Sequence, residues 1–203
     1  MDQSEILKDL SQIRSLMEKS TKFISISGLS GILAGVYTLV AAGFLGWRLG
    51  LNGLLIPGAE AIEGHVGLLV LTGVLLLVIS VGTGVYLALK KAARAGQAAW
   101  NPASRILLAS VAAPLVTGGA VAVISLQKEY YEIVAPCLLI FYGLALYAGS
   151  RFSFRELRVL GLLQIVLGLL ACYYTPCGLL FFALGFGVLH ILYGAVIIKK
   201  YGA

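Results

Sequence analysis

The sequence predicts an all-α polytopic membrane protein, a six-transmembrane-helix bundle with an N-terminal cytoplasmic amphipathic helix. Three observations predict it. Of 203 residues, 60% are hydrophobic and only 12% charged, whereas soluble domains carry about 25% charged residues. The apolar residues collect into six runs, each long enough to cross about 30 Å of hydrocarbon at about 1.5 Å per residue. The basic residues fall almost wholly at every second junction between runs, as retention of Lys and Arg on the cytoplasmic side requires. The +6 net charge and pI of 9.3 are therefore read as a topology signal, not as a nucleic-acid footprint.

Residues 1–23 form the first element. Ile6, Leu10, Ile13 and Met17, with Leu7 and Leu16 beside them, repeat at the 3-4 spacing of one helical face. The polar face mixes Asp2, Glu5, Asp9 and Glu18 with Lys8, Arg14, Lys19 and Lys22, so it lacks the basic excess of a helix held by anionic lipid. Two readings follow: the helix lies on the bundle's own cytoplasmic surface, or it docks a second protomer or a soluble partner through Ile6, Leu10, Ile13 and Met17. Four acids in this stretch are also unlike the n-region of a cleaved signal peptide, so the following apolar run is expected to stay as a span.

The six spans within residues 24–200 run from Ile24 to Trp47, Val66 to Leu89, Ile106 to Leu126, Ile133 to Gly149, Leu157 to Tyr173 and Leu179 to Ile198. In the first, Ser27, Gly31 and Gly35 recur every four residues with Ser30, Ala34 and Thr38 alongside, a stripe that lets helix backbones touch inside the bundle. After the second come Lys90, Lys91, Arg94 and Arg105; after the fourth, Arg151, Arg155 and Arg158; after the sixth, Lys199 and Lys200. Only Arg48 and Lys128 remain for the opposite face, so both termini are expected to be cytoplasmic.

The third span contains "PLVTGG", residues 114–119. Pro114 removes a backbone hydrogen bond and crowds the Ser110 carbonyl, while Gly118 and Gly119 withdraw side-chain support. A kinked or unwound helix is expected there, and with Thr117 it is the sequence's candidate for a broken helix of the kind that binds substrate in transporters. Pro136 is expected to act similarly in the fourth span.

The fifth and sixth spans contain Gln164 and His190. Measured from the turn at Pro176, both lie at nearly the same depth, so the hairpin is expected to pair them, with Tyr193 as a further partner. A polar group in hydrocarbon is costly without a partner, and an ionisable one is by default a functional candidate. Either His190 is neutral and fixes helix rotation through a hydrogen bond, or it couples a proton to transport. No Asp or Glu accompanies it deep in a span.

On the outer face, Glu60, Glu63 and His65, with Glu129 and Glu132, make an acidic rim. Their spacing is not that of a metal site, because Glu60 and Glu63 would share a helical face that His65 leaves. A solvated rim is expected, with no metal and no cofactor. Cys172 and Cys177 bracket the outer turn "YYTP" and are a possible disulfide in an oxidising compartment. No phosphate loop, nucleophilic triad or zinc motif is present, so the chain is not expected to be an enzyme.

The stretch "LRVLGLLQIVLGLLACYYTPCGLLFFALGFGVLHILYGAVI", residues 157–197, resembles one hairpin of the HdeD-type acid-resistance membrane proteins. Taken whole, with "FISISGLSGILAGVYTL", "PLVTGG" and "IFYGLALYAGSRFSFRELRVLGL", the sequence is similar to a group of small six-span membrane proteins of Bacteroidetes-type bacteria. The resemblance implies a multi-pass protein of a bacterial cytoplasmic (inner) membrane. It implies no activity, substrate or site residue. The functional expectation is a non-enzymatic structural, stress-related or interaction role in membrane lipid; the alternative is a small transporter or channel with a path near Pro114–Gly119 and His190.

Overall fold

The computed structural model describes residues 27–50, 64–94, 100 and 102–201, and these are helical with short connections. Among the described residues there are six long helices: α1 (Gly28–Arg48), α2 (Val66–Arg94), α3 (Pro102–Gln127), α4 (Tyr131–Gly149), α5 (Arg155–Tyr173) and α6, a composite span over Thr175–Tyr201. All six are long and apolar enough to cross a membrane, which supports a multi-pass membrane protein. The residues of the amphipathic N-terminal segment, Glu60 and Glu63 lie outside the described residues.

Helix order in space differs from helix order in sequence. Along the row, α2 packs on α1, α1 on α6, α6 on the α4–α5 hairpin, and α3 on α4. Two seams hold this row together, and both are built from glycine. Where α1 meets α6, a Cβ on Gly28 would stand 2.6 Å from the Gly194 oxygen, and one on Gly35 2.5 Å from the Gly187 oxygen and 3.0 Å from the Ile191 nitrogen. Where α4 meets α5, a Cβ on Gly143 would stand 2.6 Å from the Gly161 oxygen, and one on Gly161 2.7 Å from the Gly143 oxygen. Backbone thus lies on backbone in both antiparallel seams. Hydrocarbon gives helices no hydrophobic reason to prefer each other over lipid, so close van der Waals and Cα–H···O contact carries the association. The small-residue stripe of α1 accordingly serves internal packing, with Gly28 rather than Ser27 on the contact line.

The two ends of α6 are fixed differently. Near its start, Leu179 and Ala183 pack with Ala42 and Leu45 of α1. Towards its end, Tyr193 and Ile197 join Phe154, Leu157 and Leu160 in a second apolar cluster. Beyond that cluster Lys200 pairs with Glu156 in the first turn of α5, and the Tyr201 ring lies 4.5 Å from that of Phe154.

The expected break at Pro114 does not unwind its helix. α3 is helical from Pro102 to Gln127; the Ser110 hydroxyl donates to the Ile106 oxygen at 2.9 Å and the Thr117 hydroxyl to the Ala113 oxygen at 2.9 Å. Pro136 is likewise accommodated inside α4. The irregular segment is elsewhere: residues Ala183–Leu189 of α6 form a π-helix, whose wider i to i+5 turn is uncommon and is tolerated where packing supports it. Three of its residues, Ala183, Gly185 and Gly187, are buried and small.

Candidate functional site

The π segment presents the Gly185 carbonyl to two side chains. Gln164 Nε2, from α5, donates to it at 2.8 Å, and His190 Nδ1, one π-turn along α6, lies 3.0 Å from it. A carbonyl oxygen only accepts, so Nδ1 carries the proton. The other ring nitrogen, Nε2, lies 2.9 Å from the Tyr142 hydroxyl of α4. With Nδ1 already the donor, Nε2 of a neutral imidazole is the acceptor and Tyr142 O–H donates. The network reads Tyr142 to His190 to Gly185, with Gln164 converging on the same oxygen. It ties three helices at one point.

The surroundings are close and apolar. Gln164 is fully buried and His190 is 6% exposed. Phe186 stacks on the His190 ring at 5.9 Å and lies 4.9 Å from the Tyr142 ring, and Phe182 continues the aromatic row 4.8 Å from Phe186. Gly185 fits closely in this arrangement: a Cβ there would stand 2.5 Å from both Gln164 Oε1 and Leu139 Cδ2, so those side-chain ends would have to shift. Two buried atoms of the region have no hydrogen-bond partner in the structure: Gln164 Oε1 and the Tyr193 hydroxyl.

The sequence expectation is thus corrected in two respects. His190 and Gln164 do share a depth, but they meet on a backbone carbonyl and not on each other. Tyr193 lies in the apolar cluster with its hydroxyl unpartnered, and Tyr142 takes the role expected of it. Tyr142 was legible only as a tyrosine deep in the fourth run; nothing in the sequence places α4 beside α6 at that level.

The other candidates lie apart from this point. Gly118 of α3 faces Phe141 of α4, with the Phe141 Cγ 2.8 Å from where a Cβ would stand, and Gly119 has open space beside it. Phe141 and Tyr142 are consecutive, so they leave α4 about 100° apart. Gly118 and His190 therefore meet α4 on different faces. His65 lies in the turn before α2, where its carbonyl accepts from the Leu69 N–H at 3.0 Å. Glu129 closes α3 at a positive φ of 63°, and Glu132 lies in the first turn of α4. Among the described residues no group of three His, Cys, Asp or Glu could hold a metal. Cys172 and Cys177, the possible disulfide of the outer turn, are free thiols in this structure, as is Cys137.

Comparison of the chain with protein-family models, with curated proteins and with solved structures finds no match.

Proposed function

We propose that this chain is a non-enzymatic integral membrane protein with a structural, stress-related or interaction role. The observation that supports it is the saturation of His190. Both ring nitrogens are occupied by neutral partners, the ring is buried, and the nearest acid of its helix pair in sequence, Glu156, belongs to the far end, where Lys200 and Tyr201 hold it. A histidine in that setting orients helices; a relay would need a group to deliver and remove the proton. In this reading the bundle sits in a bacterial cytoplasmic membrane with both termini inside, and the N-terminal face of Ile6, Leu10, Ile13 and Met17 is available for a second protomer or a soluble partner. The HdeD-like hairpin accords with the stress-related form of the role.

One observation favours the transport alternative. Gln164 Oε1 and the Tyr193 hydroxyl are buried and unsatisfied, and such atoms beside a histidine invite water into the interior. Proteoliposomes loaded with a pH-sensitive dye separate the two readings. The structural role expects proton flux at the level of protein-free vesicles, and the same value for His190→Leu. Flux above that background, abolished by His190→Leu, would establish transport instead. Reporter fusions at residue 203 and within residues 51–64 test the orientation and are expected on opposite sides; the same side for both would reject the six-span arrangement.

A further inference from the structure

The α4–α5 seam has a consequence at its far end, where Cys137 of α4 and Cys172 of α5 lie. Its register is antiparallel and fixed by contact: a Cβ on Gly168 would stand 3.0 Å from the Ile140 nitrogen and 3.1 Å from the Leu139 Cβ. One turn further along the seam, α4 runs back from Ile140 to Cys137 and α5 runs on from Gly168 to Cys172. Pro136 and Ala171, their neighbours, are buried on the contact line. The two cysteines therefore flank the seam at one level. Cys172 is exposed and Cys137 half-buried.

We propose that Cys137 and Cys172 form a disulfide across the α4–α5 seam, and that this pairing is preferred to Cys172 with Cys177. Bridging needs Cα atoms within about 4.4–6.8 Å, shorter than the usual separation of about 8–10 Å between helix axes. A seam in which glycine brings backbone against backbone meets that need for residues on its edge. Cys172 and Cys177 are instead separated by the end of α5 and the tight turn at Thr175–Cys177, where the Cys177 N–H is tied to the Tyr174 oxygen at 2.9 Å.

The chemistry is thiol–disulfide exchange with a small or protein disulfide as oxidant. Cys172, the accessible thiol, attacks as thiolate and forms a mixed disulfide, releasing one thiol of the oxidant. Cys137 then attacks Cys172 Sγ and releases the second. Two S–H bonds are lost from the protein and one S–S bond is gained, while the oxidant's S–S bond becomes two S–H bonds. The result is a redox-controlled clamp on the α4–α5 hairpin, at the opposite end from the Lys200–Glu156 pair.

The test uses the full chain in detergent, so that its orientation in a membrane does not enter. After treatment with oxidised glutathione and alkylation of remaining thiols, trypsin cuts at the arginines between α4 and α5, leaving Cys137 on one peptide and both Cys172 and Cys177 on another. The expected product is the two peptides joined, two hydrogens lighter than their sum, with one alkylated cysteine. Cys177→Ser should keep the joined pair and Cys137→Ser should lose it. A loop within the second peptide, three alkylated thiols in wild type, or loss of the joined pair in Cys177→Ser would each overturn the assignment.

Discussion

Helices α2 and α6 contain four glycines each, and the two sets do opposite things. In α6, Cβ atoms on Gly185, Gly187 and Gly194 would run into neighbouring helices, and one on Gly178 would touch Ala135 at 3.7 Å. In α2, Gly67, Gly73, Gly82 and Gly84 have nothing within 4 Å. α2 is the most apolar of the six spans, yet Ala92 is its only buried residue. α6 is less apolar, carries His190, and lies at the centre of the row. Hydrophobicity thus decides that a helix belongs in lipid, and close steric fit decides where it sits among its neighbours.

The comparison can be broken most directly at Gly194. Its Cβ would meet the Gly28 carbonyl and, at 2.8 Å, the Ile32 nitrogen; both are backbone, so neither can step aside without moving a helix. Gly194→Ala is expected to destabilise the protein by about 2–3 kcal/mol, the upper part of the usual overpacking range, read by denaturant titration in detergent. A loss below about 0.5 kcal/mol would mean that the α1–α6 seam does not hold the fold.

The polar centre of α6 should give the next effect. His190→Leu deprives Tyr142 of its acceptor and is expected to cost about 1–2 kcal/mol, since intramembrane hydrogen bonds are modest. Adding Tyr142→Phe removes the stranded hydroxyl and should restore part of the loss. Adding Gln164→Leu should not, because Gln164 bonds to Gly185 whether or not the imidazole is present. If the Gln164 double variant is the one that recovers, the direct pairing of His190 with Gln164 is correct and the carbonyl-centred network is wrong.

Gly185→Ala should be milder, at about 1 kcal/mol, the lower end of the overpacking range. The atoms its methyl meets, Gln164 Oε1 and Leu139 Cδ2, are side-chain ends able to shift. The smallest effect is expected in α2: Gly82→Ala should change stability by less than about 0.5 kcal/mol, because its methyl enters open space and alanine favours the helix. A loss comparable to that of Gly194→Ala would show α2 packed against protein in the membrane, and would sharpen the contrast into a question about a second copy.

Much of this architecture is local and therefore readable in the chain. A helix in hydrocarbon satisfies its backbone within itself, so an apolar run of sufficient length determines a span without reference to any other, and all six runs became helices. The conspicuous polar residue was also legible: His190 stands out because almost nothing else polar accompanies it. One local signal misled. Pro114 and its glycines announced a broken helix, but α3 absorbed them, and the irregular turn formed at Ala183–Leu189, where no proline stands. That π-turn depends on α1, α4 and α5 closing around small residues and on two side chains reaching Gly185. The choice of Tyr142 over Tyr193, the face that Phe141 gives to Gly118, and the division of eight glycines into packed and open sets were likewise decided only in three dimensions. The physical reason is the same in each case: backbone hydrogen bonding acts within one helix, whereas side-chain fit exists only once a second helix is in place.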